Sequence, residues 1–78
     1  MDFHRQCRLS RQNKGKMETI TTWLPEEFAK IGKVLELETS GGEWENGWAI
    51  CEVFSRKKTK EVAERERDYK KHRLNSDI

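Results

Sequence analysis

Gly32-Lys33-Val34-Leu35-Glu36-Leu37-Glu38, Thr39-Ser40-Gly41-Gly42-Glu43 and Trp44-Glu45-Asn46-Gly47-Trp48-Ala49-Ile50-Cys51-Glu52-Val53-Phe54 follow one another without a break and decide the fold. The order is strand, glycine turn, strand. Leu35 and Leu37 share one face of the first strand, and Val34, Glu36 and Glu38 share the other. In the second strand the even positions Trp44, Trp48, Ile50 and Phe54 alternate with the odd positions Ala49, Cys51 and Val53. Both of its faces are largely apolar from Trp48 onward, which predicts a central strand covered on two sides, with Cys51 as a small buried hydrophobe. Asn46-Gly47 reads as a tight turn that sets Glu43 to Glu45 apart as a loop, or as a bulge within one long strand.

Upstream, Glu18-Thr19-Ile20-Thr21-Thr22-Trp23 is β-branched and aromatic and predicts a further strand, stopped by Pro25. Pro25-Glu26-Glu27-Phe28-Ala29-Lys30 has proline at a first helical position and acids in the first turn, so one short helical turn is expected, closed by Gly32 in a left-handed cap. Residues 1–16 carry Arg5, Arg8, Arg11 and Lys14 at intervals of three with no opposing apolar stripe. They read as a disordered basic extension dispensable for folding, with Met17 a second possible start. They hold no apolar stretch of the kind a secretory signal needs, and too few apolar residues for an amphipathic transit peptide.

Downstream, Thr59 is placed as an N-cap and Lys60 to Arg73 contain neither glycine nor proline. Glu61 with Arg65 and Glu66 with Lys70 are favourable pairs four apart. A C-terminal helix over residues 57–74 is expected, with a thin apolar edge of Val62 and Tyr69 and a frayed tail at 75–78. The fold class is then α+β: about three antiparallel strands in a small β unit over 17–56, and a C-terminal helix.

Seventy-eight residues allow one domain, near the lower limit for a self-sufficient core. The net charge of +2 hides an uneven distribution. The flanks 1–16 and 55–78 are basic, and the segment between them holds eight acids against two bases. The two cysteines, Cys7 and Cys51, make no disulfide framework, so a reducing cytoplasm is the expected setting. No apolar run approaches the ~20 residues of a membrane span, so no membrane partner is expected.

Two resemblances attach to these residues. Gly32-Lys33-Val34-Leu35, the glycine turn and Trp44…Gly47-Trp48…Val53 resemble the middle of an SH3-like small β-barrel, which implies a truncated version of that fold. The stretch from Trp23 to Ile78 is similar to small uncharacterised proteins encoded by bacteria and their phages. That likeness is carried by Trp23-Leu24-Pro25, Phe28-Ala29, Gly32-Lys33, Trp44-Glu45-Asn46-Gly47-Trp48, Glu52-Val53, Glu64-Arg65, Arg67-Asp68-Tyr69-Lys70, Arg73 and Ser76-Asp77-Ile78. It implies a cytoplasmic bacterial or phage setting and brings no catalytic residues.

No motif supplies enzyme chemistry, and no cofactor, metal or small-molecule substrate is expected. His4-x-x-Cys7 has zinc-like spacing, but Cys51 and His72 do not make a second local pair. A cysteine buried in a strand is inert as a nucleophile. Trp48 reads as core, and Trp44, beside the polar turn, as the tryptophan open to a partner. The function expected is a non-enzymatic binding module for another protein or for a second copy of itself, with Trp44, Val62 and Tyr69 as contacts. The alternative is an accessory nucleic-acid binder using the basic arm and Lys57, Lys58, Arg65, Lys70, Lys71 and Arg73 on phosphates. The five acids among residues 55–78 weigh against that alternative.

Overall fold

Asn13-Lys14-Gly15-Lys16 makes the first turn. Lys14 and Gly15 both have positive φ, 53° and 80°, the two-residue type I′ geometry that matches strand twist and closes a tight hairpin. A computed structural model, which describes residues 2–74, places β1 (Phe3–Asn13) and β2 (Lys16–Pro25) on either side of that turn. β3 (Val34–Glu38), β4 (Trp44–Thr59), α1 (Lys60–Glu66) and β5 (Lys71–Leu74) follow. The strands form one five-stranded sheet in the order β2-β1-β4-β3-β5, with every neighbouring pair antiparallel.

This corrects the α+β expectation. The protein is mostly a five-stranded antiparallel sheet with a single short helix, not three strands and a long helix. Residues 3–13 are no disordered extension: β1 lies between β2 and β4, with Cys7 and Leu9 fully buried. Its arginines hid it. Arg5, Arg8 and Arg11 meet Glu26, Glu52 and Glu18 at 3.3, 2.7 and 2.7 Å, so a strand rich in charge still sits inside the sheet.

The helix is also corrected. β4 runs through Lys57 and Lys58 to Thr59, and α1 ends at Arg67, whose φ of −79° and ψ of 151° are extended. Thr59 occupies the N-cap position but makes no side-chain cap hydrogen bond. Helix propensity yields here to burial of Tyr69, which enters the core while the chain turns into β5. The expected frayed tail at 75–78 lies outside the described residues.

The turns follow their residues more closely. Phe28 N–H donates to the Pro25 carbonyl at 2.9 Å and Ala29 N–H to that of Glu26 at 3.2 Å, giving the short helical turn, and Gly32 adopts φ 93°. Gly42 N–H closes the next turn on the Thr39 carbonyl at 2.9 Å. Asn46-Gly47 forms a bulge rather than a turn: Leu35 faces Trp48 and Leu37 faces Glu45, so β4 carries an extra residue there, with Gly47 at φ 81°. Trp44 and Glu45 are therefore paired strand residues.

A second bulge lies at Cys51. Arg8 faces Glu52 and Leu9 faces Ile50, so Cys51 is unpaired and exposed, its thiol 3.3 Å from the Arg8 carbonyl. The expectation of a buried Cys51 fails for this reason. The bulge also moves the inward positions from Ile50 to Val53.

The inward face gathers Cys7, Leu9, Leu24, Leu35, Leu37, Trp48, Ile50 and Tyr69 into one core. Burying each leucine or isoleucine contributes about 1.5–3 kcal/mol. Arg11 closes one end of it, its guanidinium on Glu18 and Glu45 and 5.2 Å from the Trp48 ring centre. At the other end the sheet curls until its margins meet: Tyr69 Oη donates to the Trp23 carbonyl, and Phe28 stacks edge-on against His72 of β5. α1 packs on β2, β4 and β1 with Ala63 fully buried.

Candidate interaction surface

The hairpin geometry decides which backbone groups stay open. Asn13 and Lys16 flank a two-residue turn and so form a hydrogen-bonded pair, and every second pair along β1 and β2 does the same. Phe3, ten residues before Asn13, accepts from Glu26 N–H at 3.0 Å, as this phase requires. Glu18, Ile20, Thr22 and Leu24 therefore bond inward to β1, while Met17, Thr19, Thr21 and Trp23 turn their backbone groups outward. The Trp23 carbonyl is occupied by Tyr69 at 2.8 Å. Among the described residues no strand pairs with the outer edge of β2, so the open stretch is Met17 to Thr21.

That stretch lacks the usual edge protection. The β1–β2 register runs unbroken from His4↔Pro25 to Asn13↔Lys16, and the proline lies at its far end. The charge that faces inward, Glu18, is neutralised by Arg11. Met17, Thr19 and Thr21 alternate on the outward face and are exposed, Met17 at 61%.

The other expected contacts are dispersed. Trp44 is 37% exposed on the outward face, opposite Glu38, at the far side of the sheet. Arg73 covers one face of its ring, 4.1 Å from the ring centre, and is held by Glu36 at 3.0 Å. Val62 is half-buried on α1. Tyr69 is buried, its phenol pushed above its ordinary pKa by desolvation, so it is a core residue and not an exposed contact.

The six basic candidates divide. Lys57 bonds Glu26 at 3.0 Å, Lys58 pairs with Glu66 and lies over the Trp23 ring, and Arg73 holds Glu36. The Lys57 ammonium, with Arg5 beside it, keeps the Glu26 carboxyl below its usual range. Arg65, Lys70 and Lys71 are exposed and make no ion pair among the described residues. Half of the set is thus already matched to carboxylates.

His4, Cys7, Cys51 and His72 do not assemble. Cys7 is in the core, where burial raises its thiol to about 11, so it stays protonated and un-nucleophilic at neutral pH. Cys51 is on the surface bulge. His4 is 2% exposed with both ring nitrogens lacking a hydrogen-bond partner among the described residues. It borders an open hollow of about 530 Å³ beside Phe3, Pro25 and Lys60. Glu26, also at that hollow, is engaged by Arg5 and Lys57.

Sequence reasoning found β2 as a strand but missed that it is an edge, because its partner β1 went unseen. The signals were present: a glycine-containing turn at Lys14-Gly15 and the Cys7/Leu9 alternation that precedes it. Among the described residues no helix is long and apolar enough to cross a membrane. No protein-family model, curated protein or solved structure matches the chain.

Proposed function

We propose that the protein is a non-enzymatic binding module that engages another polypeptide by strand addition along the outer edge of β2. The observation that carries this reading is the open stretch Met17 to Thr21, whose outward donors and acceptors are unpaired among the described residues. An extended segment laid beside it gains main-chain hydrogen bonds, and the outward row of Met17, Thr19 and Thr21 supplies side-chain contacts. Engagement of Lys57, Lys58 and Arg73 by carboxylates supports a protein partner over a nucleic acid. Two free thiols fit a cytoplasmic setting.

The test uses Thr19→Pro. Thr19 directs its N–H outward, so proline there removes an edge donor without removing a β1–β2 bond. Selection from a displayed random-peptide library should enrich extended, alternating sequences on the wild type. Thr19→Pro should lose them and Trp44→Ala should keep them. Equal enrichment on Thr19→Pro, or tight salt-sensitive binding of labelled DNA or RNA, would overturn the reading.

A further inference from the structure

Resting on the edge-pairing reading, we infer that the strand added to β2 is β2 of a second copy, antiparallel, with Thr19 opposite Thr19 on a two-fold axis. Antiparallel pairing across an axis normal to the sheet keeps each residue on its own face, so only registers that match like phases are allowed. The residues with outward backbone groups are Met17, Thr19 and Thr21. Centred on Thr19, Met17 of one copy meets Thr21 of the other, and each of the three finds a hydrogen-bonding partner.

The neighbouring registers are worse. Centring on Glu18 sets the two Glu18 side chains directly opposite each other, and like charges so placed are destabilising. It also leaves Thr21 beyond the partner's strand, opposite the turn residue Gly15. Centring on Ile20 sets Met17 against Trp23, whose carbonyl already accepts from Tyr69. Only the Thr19 register uses the whole open edge. It places Glu18 opposite Ile20, with each Glu18 held by its own Arg11 at 2.7 Å. It also covers part of Met17, which is 61% exposed, against a threonine. The edge is bounded on both sides, by the turn at Lys14-Gly15 and by the Tyr69 bond, so the pairing closes as a dimer and does not propagate.

The full 9.3 kDa chain is tested by sedimentation over a range of concentrations and by disulfide trapping in a Cys51→Ser background, which removes the exposed thiol. Mass should double as concentration rises. Thr19→Cys should cross-link to itself under mild oxidation, because directly opposed residues of a hydrogen-bonded pair lie about 5.5 Å apart at Cα, within disulfide reach. Thr21→Cys should not, because its two copies are offset by about 14 Å along the strands. Thr19→Pro should stay monomeric. The double substitution Met17→Lys with Thr21→Lys, which opposes like charges, should do the same and covers the case in which the proline variant fails to fold.

A monomer at every concentration would overturn the inference, as would Thr21→Cys cross-linking as readily as Thr19→Cys or a dimer that survives both edge variants. A monomer that still binds selected extended peptides would defeat self-pairing and leave the edge-binding reading standing. A monomer that binds none would defeat both.

Discussion

Tyr69 Oη lies 2.8 Å from the backbone carbonyl of Trp23, joining the approach to the last strand to the outer edge of the second. The contact sits where the curled sheet brings its margins together, beside the Phe28–His72 stack. It ties β5, a four-residue strand with one strand neighbour, to the body of the domain. It also sets the length of edge that β2 leaves open.

Tyr69→Phe should keep the ring in the core and lose only this bond. A cost of about 1–2 kcal/mol is expected, since a buried carbonyl is left without its donor. Chemical denaturation measures it. An unchanged midpoint would mean that water replaces the phenol.

Leu9→Ala should cost about 2–5 kcal/mol, the range for truncating a fully buried leucine. A chain begun at Met17 removes β1 altogether and leaves β2 and β4 with no shared neighbour. It should show no cooperative thermal transition by circular dichroism. A sharp transition in that truncation would contradict the interior position of β1.

Gly47→Ala should destabilise by about 1–2 kcal/mol, because φ at this bulge is 81° and an L side chain is strained there. No atom lies within 4 Å of the added carbon, so the cost is conformational rather than steric. Gly41→Ala is the control: its added carbon would meet only Thr39 Oγ1 at an ordinary 3.8 Å. Equal melting temperatures for the two variants would refute the strain argument.

Acid should weaken the fold progressively as the pH falls below about 6.5, the unfolded imidazole value. Burial holds His4 and His72 below the ordinary imidazole value, with Arg67 lowering both further, Lys60 adding to this at His4, and Glu64 opposing it at both. Below the unfolded value of about 6.5 the unfolded chain binds protons that the folded chain resists, so stability is full above that pH and falls beneath it. Denaturation midpoints at half-unit steps check the sign. A flat or rising profile over this window would show that the two rings are not held neutral by the fold.

The middle of the chain was legible because its hydrophobic pattern and its turns agree. Leu35 and Leu37 alternate with glutamates and are buried, Trp48 is 3% exposed as its strand demanded, and Gly32 and Gly42 sit at positive φ where turns were expected. β1 was illegible because only Cys7 and Leu9 mark its inward face, flanked by Arg5 and Arg11. The acids that neutralise those arginines lie in other strands and loops, and single-segment periodicity cannot supply them. The last segment misled for the opposite reason. Residues 67–73 favour helix locally, but Tyr69 is buried in the core with its hydroxyl on the Trp23 carbonyl, and the chain runs on into β5 instead. The candidate surface was half legible: β2 announced itself as a strand, but an edge is defined by which neighbour is absent.

The strand order has a consequence for biosynthesis. β1 and β2 are neighbours in sequence and can pair as soon as both have been made, but the second neighbour of β1 is β4, synthesised after a further strand. Leu9 waits for Ile50, about forty residues downstream, before its ladder is complete. Until then the nascent hairpin offers two bare margins instead of one, and the margin of β1 is the one that must not be taken by a stranger. Arg8 gives that strand a charged guard during the interval, until Glu52 arrives with β4 and neutralises it.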